Sequence, residues 1–458
     1  MKKILYTVMA FALLIGNTSC SEDELDPTVS QEKDFNSSIN TEEDLEGILA
    51  GAYNRLSIET YYGRDYIVFN EVRSDNAFSN ANSNRFVTAG QLEVLPSDAY
   101  PTDTWFRIYS VIGSANIIIN AENIEGDAAY INQMKGEALV LRAMAHFDLV
   151  RLFGQQHVTG GTSPGGVPYV TTFRDEENFF PARNTVEEVK NLAIADIDAA
   201  LAIMSPGLDG SKEFITTSAA NAIKARIALY FGDMTTAATA AKAVIDSQNF
   251  SVASESDFAS TFSTDNAVNS IFEIAMSPTD NRGINGLANI FLNTSYGDVV
   301  VLDNFLTIFD DDDIRIGEDF IEVDGAGFTR NIGKYPSSTF DDNISIIRYE
   351  EVILTYAEAM LTVDPAVSLQ YLNMIPAQRN ASLYTEATLD NILLERRKEL
   401  AFEGARFHDL VRTGQGIPLI DELQQTHKGV PYGSFNLAFP IPNSEVDVNS
   451  NVSQNKGF

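Results

Sequence analysis

The chain has few cysteines, histidines, tryptophans and basic residues, and each shortage excludes a class of function. Its 458 residues include one cysteine, four histidines and one tryptophan. A lone cysteine cannot form an intramolecular disulfide, and so few cysteine and histidine side chains leave little material for a transition-metal site. Lys and Arg number 31 against 64 Asp and Glu, a net charge of −33 that argues against nucleic acid as a partner. We expect no metal and no cofactor.

The apolar run near the start of the chain is too short to span a membrane. Residues 4–15 form a run of about a dozen residues, whereas a membrane-spanning helix needs roughly 20. Lys2 and Lys3 precede the run, and the small residues Thr18 and Ser19 lead from it to Cys20. This order of basic, apolar and small residues is typical of a secretory signal peptide.

Cys20, the only cysteine of the chain, follows that signal directly. The segment resembles a bacterial lipobox, in which this cysteine becomes the first residue of the mature protein and carries acyl chains such as palmitate. It departs from the motif at Asn17, where a small apolar residue or leucine is commoner. We therefore predict a signal peptide at residues 1–19 and a protein that is anchored to a membrane without spanning it. The alternative is an ordinary cleaved signal with an incidental cysteine.

The residues after Cys20 bear on where the protein is exported. Glu22, Asp23 and Glu24 resemble the surface-export signal of Bacteroidetes lipoproteins, and they are equally compatible with a solvated linker. Residues 20–40 are polar and lack periodicity, so we predict a flexible tether between the lipid and the folded body.

Helical patterns dominate the rest of the chain. Thr41 has the position of an N-cap, and Gly154 has the position of a C-terminal stop. Apolar residues recur at steps of three and four, which is typical of amphipathic helices. The predicted helices are residues 41–56, 105–119, 133–153, 185–204, 218–231, 234–247, 344–361 and 365–380.

The middle helices are rich in alanine, which lets neighbouring helices approach closely. A tight turn at Gly232 and Asp233 separates two of them, and paired helices of this size are typical of tetratricopeptide-like packing. A generic helical hairpin is the alternative. We predict an all-α scaffold built from such pairs. The alanines are Ala219, Ala220, Ala222, Ala225, Ala228, Ala237, Ala238, Ala240, Ala241 and Ala243.

Two irregular segments interrupt this scaffold, at residues 57–99 and 250–343. Both are rich in Asn, Ser, Gly and Asp, and the second contains short β-favouring runs at residues 271–276 and 298–302. Long irregular insertions on a rigid scaffold commonly carry the binding residues. We therefore expect ligand-binding residues in these two insertions.

The densest charged cluster lies at residues 395–412. Glu395, Glu399 and Glu403 are spaced by four, which predicts one shared helix face. Paired carboxylates suggest glycoside hydrolysis, but neighbouring cations lower the pKa of a carboxyl and so spoil a general acid. We predict a structural ion-pair network and no catalytic residue. The bases near the ends of the cluster are Arg396, Arg406 and Arg412.

Segments in order along the mature chain resemble the motifs of one family. They lie at residues 105–116, 136–154, 183–196, 219–243, 348–359, 395–412 and 440–458. Residues 395–412 are similar to the "ERR-EL-FEG-R--DL-R" signature of the SusD/RagB family of outer-membrane nutrient-binding lipoproteins. Departures are His146 and His408, where the family tends to have larger aromatic residues, and the segment 373–376. We expect both histidines to be structural.

The resemblance implies a fold and a function. It implies one SusD-like domain at residues 41–458, which binds nutrient at the cell surface and sits as a lid over a TonB-dependent (SusC-like) transporter. Glycans are typical ligands of the family, while its RagB branch is tied to peptides. We therefore expect a glycan-binding protein that is not an enzyme, with peptide uptake as the alternative and a surface glycosidase as a remote one.

No family motif identifies the ligand residues, so we take them from the chemistry of sugar binding. A sugar site needs flat aromatic faces and planar hydrogen-bonding groups. Trp105, the only tryptophan, falls in a helix motif and is expected in the core. The acidic run 310–313 is expected to be a solvated turn rather than a Ca²⁺ site. The candidate ligand residues are Tyr61, Tyr62, Asp65, Tyr66, Asn76, Phe78 and Arg85 in the first insertion, with Asn293 and Tyr296 in the second.

Overall fold

The structure, a computed structural model, describes residues 39–292 and 294–458. The predicted signal peptide, Cys20, nearly all of the predicted tether and Asn293 lie outside these residues. The α-helices are α1 (Glu42–Ser57), α2 (Asp65–Val72), α3 (Val87–Gly90), α4 (Ala99–Asn120), α5 (Ala128–Phe153), α6 (Val186–Ile203), α7 (Thr217–Tyr230), α8 (Met234–Ser247), α9 (Leu287–Phe291), α10 (Tyr349–Met360), α11 (Pro365–Leu372), α12 (Leu389–Glu399), α13 (Arg406–Arg412) and α14 (Asn443–Val446). The strands are β1 (Ala77–Ser79), β2 (Ser270–Ile274), β3 (Val299–Val301), β4 (Ile321–Val323), β5 (Thr329–Asn331) and β6 (Ile344–Arg348).

Helices α1, α6, α7 and α8 begin and end within one residue of their predicted bounds. Helices α4 and α5 begin earlier than predicted, at Ala99 and Ala128 rather than at residues 105 and 133. Thr41 caps α1 in a capping box with Asp44, and Thr185 caps α6 in the same way with Glu188. Helix α5 ends at Gly154 as predicted. These caps satisfy backbone N–H groups that a helix start otherwise leaves without partners. The predicted helical scaffold is confirmed.

The scaffold is a row of helices that pack on their neighbours. Helix α1 lies against α4, α4 against α5, α5 against α6, α7 against α8, and α10 against both α8 and α11. Small residues permit the close approach: a Cβ on Gly136 in α5 would lie 2.2 Å from Cγ of Met204. Most of the predicted alanines are buried between helices, although Ala243 is exposed. The mostly α-helical fold class is therefore confirmed.

The predicted helices at residues 344–361 and 365–380 are also wrong in their bounds. Residues 344–348 form strand β6 rather than a helical turn, and their isoleucines at 344, 346 and 347 suit a strand because β-branched side chains fit its pleated surface. Strand β6 pairs antiparallel with β2, with Ile274 opposite Ile344. Helix α11 ends at Leu372 instead of near residue 380, and a separate 3₁₀ turn starts at Pro376, which has no N–H to continue a helix.

The insertions are more ordered than their composition suggests. Helix α2 lies inside the first insertion and all eight of its residues are buried, which corrects the expectation of an irregular segment. The predicted strands near 271–276 and 298–302 are confirmed as β2 and β3. Among the described residues the strands form three antiparallel pairs, β1–β3, β2–β6 and β4–β5. The β1–β3 pair joins the first insertion to the second.

The main hydrophobic core extends through the described part of the chain, from Leu45 to Val452, and three smaller clusters lie apart from it. Trp105 is 1% exposed within it, as predicted. Across residues 39–292 and 294–458 no helix has both the length and the apolar character that crossing a membrane requires.

Candidate functional site

The two insertions meet at the surface where the β1–β3 ladder ends. The last pair of that ladder places Ser79 opposite Val299. One residue further, the backbone N–H of Asn80 donates to the carbonyl of Asp298 at 2.9 Å. Residues 80–85 therefore lie beside residues 296–298. We call the group Asn80, Asn82, Ser83, Arg85 and Tyr296 the junction surface.

Arg85 and Tyr296 form the aromatic part of the junction surface. The guanidinium carbon of Arg85 lies 3.8 Å from the centroid of the Tyr296 ring, a close cation–π contact. Both side chains are partly exposed, and Tyr296 also packs against the hydrophobic core, which anchors it. The sequence proposed these two residues separately, and the structure brings them together. An aromatic ring beside planar N–H donors suits a sugar, whose C–H face packs on rings while its hydroxyls accept hydrogen bonds.

A hydrogen-bond frame fixes the orientation of this pair. Asp298 accepts from the backbone N–H of Ser83 at 2.8 Å and from its hydroxyl at 2.5 Å. The same hydroxyl accepts from Nη1 of Arg85 at 2.7 Å, so the guanidinium is held through Ser83. Asn82 donates its amide N–H to the carbonyl of Tyr296 at 2.5 Å. The frame pre-organises the surface, which lowers the entropy lost when a ligand binds.

The three tyrosines predicted to face ligand lie in the core instead. Tyr61, Tyr62 and Tyr66 are 0%, 4% and 3% exposed. Their hydroxyls donate to the carboxylate of Asp148 at 2.6, 2.7 and 2.9 Å, and Nη2 of Arg151 donates to it at 2.5 Å. Burial, with the charge of Asp148 adding to it, holds the pKa of Tyr61 well above its usual value. The structure thus corrects their location, because hydroxyls held this way do not reach a surface ligand. We call these three tyrosines, with Asp148 and Arg151, the tyrosine cluster.

The other candidates of the first insertion are also buried. Asp65 is fully buried and accepts from Nε of Arg64 at 2.6 Å, while burial raises its pKa to about 7. Asn76 accepts from Nε of Arg397 at 2.9 Å, and Phe78 lies in strand β1 at 7% exposure. Their placement is corrected from surface to interior. Asn293 lies outside the described residues, so its assignment stays a prediction.

The cluster at 395–412 is an ion-pair network, but most of its partners come from other elements. Glu399, fully buried, accepts from Arg379 and Arg348 at 3.0 Å, and it also pairs with Arg315. These cations hold the pKa of Glu399 well below its usual value despite burial. Glu403 pairs with Arg348 at 2.7 Å. A carboxyl that stays ionised cannot serve as a general acid.

The geometry of this cluster differs from the predicted single helix face. Helix α12 ends at Glu399, and Glu403 lies in the following turn, where Phe402 and Gly404 have positive φ. Glu403 nevertheless reaches Arg348, which also pairs with Glu399, because the turn folds back on the helix end. The other pairs formed by residues 395–412 are Arg396–Asp409, Arg397–Asp75, Arg406–Asp75, Arg412–Glu358, Arg412–Asp409, Arg315–Glu395 and Lys334–Glu403.

The acidic run 310–313 is only partly the solvated turn that the sequence predicts. Asp311 and Asp312 are exposed, whereas Asp313 is buried and pairs with Arg315 at 2.7 Å. Within the described part of the chain no group of three or more His, Cys, Asp or Glu side chains is arranged to hold a metal ion. The acidic run thus contributes one carboxylate to the ion-pair network.

His146 is structural, as expected. Its Nδ1 lies 2.9 Å from the carbonyl of Arg142 and donates to it, while Nε2 accepts from the backbone N–H of Val170 at 3.0 Å. Its ring stacks on Tyr169 with 3.7 Å between centroids. Burial lowers the pKa of His146 to about 3, so the ring is neutral. Nδ1 thus ties the ring to α5 itself, and Nε2 holds the loop that follows this helix.

A surface recess of about 260 Å³ was missed by the sequence reasoning. It lies between helix α4, the loop at residues 168–181 and helix α14, and its lining includes Tyr109, Phe173, Asn178 and Phe179. Phe179 is 55% exposed. The sequence signal that points to the recess is the adjacent pair Phe179–Phe180 in an acidic loop, because contiguous exposed apolar surface commonly marks an interaction site.

Family models match both halves of the chain. A family described as "Starch-binding associating with outer membrane" matches residues 25–229, and the SusD family matches residues 328–458. Among curated proteins, two SusD-like proteins of Formosa agariphila are 26% and 24% identical to the chain. The first alignment covers 92% of this chain and 94% of that protein, and the second covers 99% of each.

Solved structures share the fold over nearly their whole length. A protein from Bacteroides vulgatus, described as a putative sugar binding protein, superposes with a TM-score of 0.83 at 28% identity and covers 92% of this chain and 99% of its own. A SusD superfamily protein from Bacteroides thetaiotaomicron has a TM-score of 0.82 at 27% identity, covering 90% and 99%. The sequence comparisons and the structural superpositions therefore both point to SusD-like proteins.

Proposed function

Because this chain belongs to the SusD/RagB family, we propose that it is a glycan-binding protein associated with the outer membrane. It binds oligosaccharide or polysaccharide at the cell surface and passes it to a TonB-dependent transporter, without catalysis. Lipidated Cys20 is the anchor, with the tether at residues 20–40 between lipid and body. The one SusD-like domain comprises residues 41–458.

The observation that carries this proposal is the partly exposed Tyr296–Arg85 pair where the two insertions meet. It combines a partly exposed aromatic ring with fixed N–H donors, the two kinds of group that sugar recognition uses. The absence of catalysis is supported by the pairing of Glu395, Glu399 and Glu403 with cations. A glycosidase needs at least one substrate-accessible carboxyl that holds its proton near neutral pH, whereas Asp65 and Glu71, whose pKa values burial raises to about 7, are fully buried.

Calorimetry of the mature chain against a panel of neutral and acidic polysaccharides and oligopeptides tests the proposal. We expect saturable binding of a glycan, no release of product, and a loss of at least tenfold in affinity for Tyr296→Ala. Tyr130→Ala is the matched control, since Tyr130 is an exposed tyrosine on α5 away from the insertions. Affinity for oligopeptides and none for glycans would favour the peptide-uptake alternative. Product release that stops on mutating a carboxylate pair would favour a glycosidase.

A second variant separates the junction surface from the recess beside α4. Phe179→Ala removes an exposed ring from the recess and leaves the Tyr296–Arg85 pair intact. We expect this variant to bind the glycan as the wild type does. A loss confined to Phe179→Ala would move the site to the recess.

Partnership with a transporter is tested on the lipidated chain in native outer membranes. We expect a TonB-dependent transporter to co-purify with the wild type after mild solubilisation. Loss of membrane association in Cys20→Ala is the expected sign of the lipid anchor. A chain that purifies alone under these conditions would contradict the transporter partnership.

A further inference from the structure

A small polar cavity of about 50 Å³ lies where six helices converge. Helices α2, α5, α7, α10, α12 and α13 all contribute to its walls, and none of its lining residues belongs to the junction surface. Its lining includes four guanidinium groups and three carboxylates, and the carboxylates are those of Glu351, Glu403 and Asp409. The basic side chains that line it are Arg151, Arg226, Arg396, Arg412 and His408.

Three of these side chains carry buried N–H groups without a partner among the described residues. His408 is 3% exposed, and neither of its ring nitrogens is hydrogen-bonded. Nε of Arg151 and Nη1 of Arg396 are buried and unpartnered as well. A guanidinium nitrogen only donates, and a neutral imidazole carries one N–H. Since buried donors in native proteins are almost always satisfied, the occupant of this cavity has to accept hydrogen bonds.

The carboxylates near the cavity are already paired with particular arginines. Glu351 accepts both Nε and Nη2 of Arg226, at 2.7 and 2.5 Å. Asp409 lies between Nε of Arg396 at 2.8 Å and Nε of Arg412 at 2.7 Å. Glu403, the third carboxylate of the lining, pairs with Arg348. Because each of these carboxylates is already paired with at least one cation, none is left over to compensate for a further cation nearby.

Arg73 is that further cation. It is fully buried between the rings of Phe407 and Phe439, with its guanidinium carbon 3.9 and 4.3 Å from their centroids. Within residues 39–292 and 294–458 it forms no salt bridge, and its hydrogen bonds go to backbone carbonyls. Burial, followed by the charges of Arg151 and Arg73, holds the pKa of His408 well below its usual value. The ring is therefore neutral in a positive field.

We propose that this cavity is a binding site for a monovalent inorganic anion of the size of chloride, held by N–H groups of His408, Arg151 and Arg396. A water molecule needs roughly 10–15 Å³ of such volume, so 50 Å³ admits a halide and excludes a sugar ring. The side chain of Arg226 is 16% exposed, which gives the cavity an edge toward solvent for the ion to enter. The bound anion ties α13 to the central helices.

Thermal unfolding of the mature chain in different sodium salts tests the proposal. Chloride and bromide are titrated against gluconate at equal ionic strength, because gluconate is too large for the cavity. We expect a saturable rise of about 2 °C in Tm with either halide and none with gluconate, since a ligand of the folded state shifts unfolding by mass action.

Two histidine variants locate the effect. His408→Phe keeps a ring of similar size and removes its N–H group, so the halide-dependent rise in Tm should disappear. His146→Phe is the control: both nitrogens of His146 are bonded to backbone groups away from the cavity, so its halide-dependent rise should remain. Bromide-soaked crystals of the wild type should show anomalous signal beside His408 and Arg396.

Either of two results would overturn the proposal. One is equal Tm values in all three salts at equal ionic strength. The other is density at the cavity without bromide signal, which would mean that it holds water only. If His408→Phe does not fold, the bromide signal in wild-type crystals still decides whether the cavity binds a halide.

Discussion

The tyrosine cluster and the junction surface contain the same kinds of side chain, yet they lie in opposite environments. In the first, three tyrosine hydroxyls and Arg151 surround Asp148 in the core. In the second, Arg85 lies on the ring of Tyr296 at the surface. The difference comes from partners distant in sequence. Asp148 on α5 accepts hydrogen bonds from the three tyrosines in the core, whereas Asp298 holds Ser83 and, through it, Arg85 at the junction surface.

The largest expected effect follows from removing the acceptor of the tyrosine cluster. Asp148→Ala leaves three buried hydroxyls and a buried guanidinium without their shared partner, so the free energy of unfolding should fall by ~3–5 kcal/mol. Denaturant unfolding measures the change. Asp311→Ala, at an exposed aspartate, is the control and should change stability by less than ~0.5 kcal/mol. Equal stability of the two variants would show that the cluster is not structural.

The next effect concerns Glu71, a buried carboxyl near the end of α2, the helix that also carries Tyr66. It accepts from the backbone N–H of Gly404 at 2.7 Å and forms no salt bridge among the described residues. Burial raises the pKa of Glu71 to about 7. A raised folded-state pKa contributes stability that is complete below about pH 4.5 and is lost as pH rises to about 7.

Glu71→Gln tests this pH dependence. The wild type should lose roughly 2–3 kcal/mol of unfolding free energy between pH 5 and pH 8 from this group, and the variant should show a flatter profile. The measurement is urea unfolding at several pH values. Tyr296→Ala serves as the surface comparison and should keep the wild-type slope. Identical slopes for wild type and Glu71→Gln would refute a pKa near neutrality.

A smaller effect is expected when a single hydroxyl is removed from the tyrosine cluster and the junction surface is left unchanged. Tyr61→Phe removes one hydrogen bond to Asp148 and leaves the ring in place, so stability should fall by ~1 kcal/mol. Affinity for the glycan should not change, because Tyr61 is fully buried. Tyr130→Phe, on an exposed ring, should leave both quantities unchanged. A large loss of affinity in Tyr61→Phe would return the tyrosine cluster to the binding site.

The helical scaffold could be predicted from the sequence because its signals are local. Caps such as Thr41 and Thr185, and apolar residues at helical spacing, are read within a few positions. The sequence predicted that residues 395–412 form an ion-pair network. It did not predict the partners Arg315 and Arg379, because they are distant in sequence. Periodicity also missed β6, because a short apolar run fits a strand as well as a helix.

The candidate site was only partly predictable for the same reason. Amino-acid composition identified the two insertions as the expected binding region, and the candidate residues taken from them included Arg85 and Tyr296. It did not distinguish Tyr61 from Tyr296, because burial depends on whether a distant acceptor is available for the hydroxyl. Asp148 provides that acceptor 87 residues after Tyr61, and no local pattern marks it.

Arg85→Met should have the smallest effect on stability and still weaken binding. The side chain keeps its length over the Tyr296 ring but loses the charge and the N–H donors, and an exposed cation–π contact contributes only ~0.5–1 kcal/mol. Denaturant unfolding should therefore change by less than ~1 kcal/mol, while calorimetry should show glycan affinity falling about three- to tenfold because hydroxyl contacts are lost. Arg174→Met, beside the ring of Phe173 in the recess, is the control and should keep full affinity. Equal affinities for Arg85→Met and wild type would mean that the guanidinium only positions Tyr296, and the donors for a sugar would then have to come from Asn80 and Asn82.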